Sequence, residues 1–87
     1  MNEKSNQEIY PVKIKLETRL LYNQTITTIM KLAKSQRLAS NGLTIYYYLD
    51  DAKTQVIRTH IFNRKIELSD KVDEDIIKKI REAARKN

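Results

Sequence analysis

The chain has 87 residues, with no cysteine, one glycine, one proline and one histidine, and its 17 Lys+Arg against 11 Asp+Glu give a formal charge of +6. A chain of this length is one domain whose thin core hides only about 60–65% of the surface exposed on unfolding, so a homodimer would add stability. The absence of cysteine excludes a disulfide framework, a thiolate nucleophile and thiolate metal sites. His60 stands alone without a converging set of ligands, and Gly42 alone cannot build a glycine-rich phosphate loop, so neither a metal nor a cofactor is expected.

Residues 1–8 are polar and read as a disordered tail, and residues 9–87 as a single α+β domain. No apolar run has the length of a signal segment or a membrane span. The chain is therefore expected to be soluble and cytoplasmic, with no membrane partner.

From Ile9 to Glu17, Val12, Ile14 and Leu16 alternate with Lys13, Lys15 and Glu17, the period-two pattern of a half-buried strand. Pro11 suits the first residue of such a strand, though it also suits the first turn of a helix. From about Arg19 or Asn23 to Ser40 the period lengthens. Tyr22, Ile26, Ile29, Met30, Ala33 and Arg37 make one helical stripe, and Asn41-Gly42 offers a left-handed C-cap.

Leu43 to Leu49 is aromatic and β-branched, Asp50 to Lys53 is polar, and Thr54 to Leu68 is again β-prone, which predicts a hairpin of two strands. A last helix is predicted from Ser69 or Asp70 to the C-terminus, with Val72, Ile76, Ile77, Ile80, Ala83 and Ala84 on its apolar face. Its acids come first and its bases last, as the helix dipole favours. That order accounts for the acid run from Glu67 to Asp75 without a ligand.

The expected architecture is α+β in the order β-α-β-β-α, a three-stranded sheet with two helices on one face. Reading Pro11 to Tyr22 as a helix gives the alternative, a winged-helix-like outline with Asp50 to Lys53 at the wing tip. In the first arrangement one sheet face stays open. Register decides what lines it, because a one-residue slip moves every side chain across the sheet. An odd-length turn after Asp50 sets Tyr48 opposite Val56 and Tyr46 opposite Arg58, whereas an even turn would bury the Arg58 guanidinium. Burying an unpaired guanidinium costs several kcal/mol, so the odd turn is expected.

The outward set is then Lys13, Lys15, Tyr46, Tyr48, Arg58, His60, Phe62 and Arg64. Rings interleaved with cations suit a single-stranded or flexible nucleic acid, since rings stack on bases and cations meet phosphates. The arrangement is similar in its physics to the sheet platforms of RNA-recognition folds, although it lacks their octapeptide signature. The same side chains suit a protein partner, an inhibitory target or a second copy of the chain. Lys31, Lys34 and Arg37 are expected to form a secondary basic patch on the first helix. In size and charge the chain resembles small ribonuclease toxins, and the RNA-cleaving alternative would use His60, Arg58, Arg64 and a tyrosine. The expected function is nevertheless non-enzymatic binding, because a lone strand histidine is more often structural than catalytic.

Overall fold

The computed structural model describes residues 8–85, so nearly all of the expected N-terminal tail lies outside the described residues. The chain forms β1 (Val12–Lys15), α1 (Arg19–Leu32), β2 (Ser35–Leu38), β3 (Thr44–Tyr48), β4 (Val56–His60), β5 (Lys65–Leu68) and α2 (Glu74–Arg85). The five strands make one sheet in the order β1-β5-β4-β3-β2, and every neighbouring pair is antiparallel. The α+β class and the two helices are as expected. The sheet has five strands rather than three, and the winged-helix outline does not occur because Val12–Lys15 is a strand.

Two misplaced boundaries account for the extra strands. The first helix stops at Leu32 instead of Ser40, and Ala33 caps it in an extended conformation. The sheet is about 19 Å wide from β1 to β2, four gaps of about 4.8 Å. The α1 helix, at about 1.5 Å per residue, is about 21 Å long and so just crosses it. Continuing to Ser40 would overshoot the sheet by about 12 Å; Ser35–Leu38 instead pairs along the free edge of β3. Asn41 and Gly42 then turn the β2–β3 hairpin rather than capping a helix. Gly42 sits at φ +74°, its N–H donates to the Ala39 carbonyl at 3.0 Å, and the Leu43 N–H donates to Asn41 Oδ1 at 2.8 Å.

The second error is the run from Thr54 to Leu68, which is two strands joined by a turn at residues 61–64. A single strand of that length, at about 3.3 Å per residue, would span about 50 Å. The molecule's longest extent is 45 Å. Asn63 makes the reversal, its Oδ1 accepting from the Lys65 N–H at 3.2 Å, and Arg64 takes a left-handed φ of 57°. The new strand, β5, inserts between β1 and β4 and pairs antiparallel with both.

The turn between β3 and β4 behaves as expected. Asp50 Oδ1 accepts from the N–H groups of Thr54 and Gln55 at 3.0 and 2.9 Å, and the Leu49 N–H closes the loop on the Gln55 carbonyl at 2.9 Å. The loop is odd, and Tyr48 stands opposite Val56, Tyr46 opposite Arg58 and Thr44 opposite His60.

One face of the sheet carries both helices. Leu16, Tyr47, Leu49, Ile57, Ile66 and Leu68 form a single cluster with Tyr22 and Ile29 of α1 and Ile80 of α2. Thr25 is also buried on α1, made tolerable because its hydroxyl donates to the Leu21 carbonyl at 2.8 Å, while Met30, expected on the stripe, is exposed. Thr18 caps α1, its Oγ1 accepting from the Leu21 N–H at 3.1 Å. The α2 helix starts later than expected. Ser69 is buried and its Oγ accepts from the Val56 N–H at 3.2 Å, so it serves the sheet, and the Asp73 carbonyl takes the first helical bonds from Ile76 and Ile77.

Candidate nucleic-acid interface

The sheet face opposite the helices is built by strand alternation. Lys13, Glu67, Arg58, Tyr46 and Arg37 are successive cross-strand neighbours and form one row through all five strands. Lys15, Lys65, His60 and Thr44 make a second row, and Val56, Tyr48 and Ser35 a third.

At the centre lies Glu67, only 5% exposed. Its Oε1 accepts from Arg58 Nε at 2.7 Å and lies 2.8 Å from His60 Nε2, and its Oε2 lies 3.4 Å from Lys13 Nζ. Burial alone would raise the carboxyl's pKa. Hydrogen bonds from His60 and Arg58, with the charge of Arg58, outweigh it and hold the group at about 2. Tyr10 covers the other side of this cluster. The Arg58 guanidinium lies 4.0 Å from the Tyr10 ring centroid, the Tyr10 hydroxyl donates to Glu8, and burial together with that bond pushes the phenol's pKa up. Arg58 is therefore sandwiched between an aromatic ring and a carboxylate, and its charge is largely spent inside the protein.

The β2–β3 side of the face is different. Arg37 lies 4.6 Å from the Tyr46 ring centroid and its Nε donates to the Tyr48 hydroxyl at 3.2 Å, while Lys53 Nζ lies 5.5 Å from the Tyr48 ring. Arg37 and Lys53 are exposed and both rings are half-buried. Neither cation has a carboxylate partner among the described residues.

Of the residues expected on this face, Lys13, Lys15, Tyr46, Tyr48, Arg58 and His60 are there. Phe62 and Arg64 are not on a strand. Phe62 is 83% exposed in the β4–β5 turn, and Arg64 folds back so that its Nε and Nη2 donate to the carbonyls of Leu16 and Glu17 at 3.0 and 3.3 Å. The expected helical patch of Lys31, Lys34 and Arg37 is divided among the last turn of α1, the following loop and β2, because the helix ends early. Reasoning from sequence missed Glu67, Tyr10, Lys53 and Lys65. The alternation Lys65-Ile66-Glu67-Leu68 carried the signal for two of them, obscured by grouping Glu67 with the helix acids.

Among the described residues no group of three His, Cys, Asp or Glu side chains is placed to hold a metal ion, and no helix is long and apolar enough to cross a membrane. Ionised at neutral pH, the Glu67 carboxylate anchors Arg58 and His60 through these hydrogen bonds. Comparison with protein-family models, with curated proteins and with solved structures returns no match.

Proposed function

We propose that this protein is a non-enzymatic module that binds single-stranded or flexible nucleic acid across the outward sheet face, with Tyr46 and Tyr48 as the stacking platform. The observation that carries the reading is the pair of half-buried rings overlain by the unpaired cations Arg37 and Lys53. Two residues apart on one face, the rings stand about 7 Å apart along the strand, so each can take its own base. An exposed cation–π contact contributes about 0.5–1 kcal/mol, whereas stacking of a base on an aromatic ring contributes about 1–3 kcal/mol. A base therefore displaces the cation, and the released cation is left beside a phosphate. Lys13, Lys15 and Lys65 extend the basic surface toward β1, and among the described residues Glu67 is the one carboxylate at an outward strand position.

The test is fluorescence anisotropy of labelled single strands and duplexes from about 50 to 200 mM salt, a range over which phosphate-driven binding weakens steeply. Tyr46→Ala/Tyr48→Ala should weaken single-strand binding by at least about tenfold, and Arg37→Ala should flatten the salt dependence. Absence of micromolar binding at the lowest salt, or binding indifferent to the tyrosines, refutes the reading.

A second reading, self-association, is supported by β2. This edge strand has all four residues exposed, Leu38 at 60%, and among the described residues no strand lies beyond it. Light scattering that reports a dimer in wild type and a monomer after Gln36→Pro would favour it, since proline removes an edge donor.

A further inference from the structure

A cleft of about 240 Å³ opens between β1 and the C-terminal half of α2, away from the tyrosine platform. Ile14, Leu16 and Ala84 supply its apolar surfaces and Arg81 and Arg85 supply cations, while Lys15, whose strand position faces the outward side of the sheet, borders it. Arg81 and Arg85 are one turn apart on the same side of α2, where like charges repel by a few tenths of a kcal/mol. Among the described residues neither arginine has a carboxylate within ion-pair distance. The helix dipole explains Arg85, in the last turn, but its effect fades within that turn and does not reach Arg81.

Size and charge together define what fits. A cavity of about 150 Å³ accepts one benzene ring, so this cleft has room for one ring and a compact head group. Two guanidiniums one turn apart on the rim of the cleft offer two donor forks, and that geometry suits the several oxygens of a phosphate. We propose that the cleft binds a phosphomonoester with a small apolar or ring-shaped body, the phosphate held by Arg81 and Arg85 and the body resting on Ile14, Leu16 and Ala84. The site stands independently of the sheet-face reading. Because Lys15 belongs to the sheet face, the test rests on the two arginines.

The experiment is a ¹H–¹⁵N NMR titration of the full chain with phenyl phosphate at pH 7.5, where the phosphate is mostly dianionic. A ligand of this size should bind with a dissociation constant of about 1 mM, with shifts confined to β1 and the end of α2. Inorganic phosphate, which lacks the body, and benzyl alcohol, which lacks the charge, should each bind at least about tenfold more weakly. Arg81→Gln/Arg85→Gln should weaken phenyl phosphate by at least about tenfold. Both side chains are exposed, so the variant should stay folded and lose no more than about 8 °C in melting temperature, the dipole contribution of Arg85. Lys71→Gln/Lys79→Gln removes the same charge elsewhere and should leave binding unchanged. Equal shifts with inorganic phosphate, shifts spread over the basic surface, or full binding in the arginine variant overturns the proposal. A 5′-phosphorylated trinucleotide and its unphosphorylated twin separate two sources of the head group. A phosphate-dependent gain at the cleft assigns it to a strand terminus, and equal shifts to a free small phosphomonoester.

Discussion

Glu67→Gln removes the charge at the centre of the outward face while preserving shape and one acceptor oxygen. The wild-type carboxyl is drawn down from 4.5 to about 2 by Arg58 and His60, against the upward push of burial. At about 1.36 kcal/mol per pKa unit, the folded state favours the ionised form by about 3 kcal/mol at pH 7. The glutamine oxygen still accepts from Arg58, so the net loss should be about 2 kcal/mol. In a domain of this size that lowers the melting temperature by about 8–16 °C.

The pH dependence separates this cause from simple loss of packing. A carboxyl whose pKa is depressed on folding contributes fully above its unfolded value of 4.5, and the contribution disappears as the pH falls toward the folded value of about 2. Urea melts of both proteins at pH 7, 5, 4, 3 and 2 should show a stability gap that is wide at pH 7, narrows below 4.5 and nearly closes at 2. A gap under about 0.5 kcal/mol at pH 7, or one of constant width, refutes the assignment of Glu67 as the anchor of Arg58 and His60.

Tyr22 tests a different cost. Its buried hydroxyl has no hydrogen-bond partner among the described residues, so Tyr22→Phe should leave stability within about 0.5 kcal/mol or raise it, measured by urea unfolding. Thr18→Ala removes the side-chain acceptor at the start of α1 and should cost about 1 kcal/mol in the same assay, with Thr18→Ser restoring most of it. Gly42→Ala meets nothing within 4 Å, so its whole cost is the left-handed backbone, about 1–2 kcal/mol. Gly42→Asn should recover part of that loss. On the binding side, Glu67→Gln leaves the Arg58 charge unopposed and should tighten single-strand binding at low salt while steepening its salt dependence, read by anisotropy.

Patterns confined to one element were legible in the sequence. The alternation in Val12–Lys15, the stripe of Tyr22, Ile26 and Ile29 and the apolar face around Ile80 each follow from a local period of two or 3.6 residues. The odd loop after Asp50 was legible too, because a single large penalty, an unpaired buried guanidinium, separated the two registers. Where elements end was not. Residues Ser35–Leu38 have no strong strand preference, and they became β2 because α1 had crossed the sheet and the edge of β3 was unpaired. The turn at Asn63 has neither glycine nor proline and is fixed by the compactness of the whole molecule.

The outward face shows the same division. Lys13, Lys15, Tyr46, Tyr48 and Arg58 were placed there by alternation and one register argument, both local matters. That Arg58 is neutralised by Glu67 while Arg37 lies over Tyr46 with no carboxylate partner among the described residues depends on which strands become neighbours. Sequence determined which residues of β1, β3 and β4 share a face, since alternation is a property of each strand alone. Only the tertiary structure decided which of those charges cancel, because ion pairing acts between strands whose order no local pattern encodes.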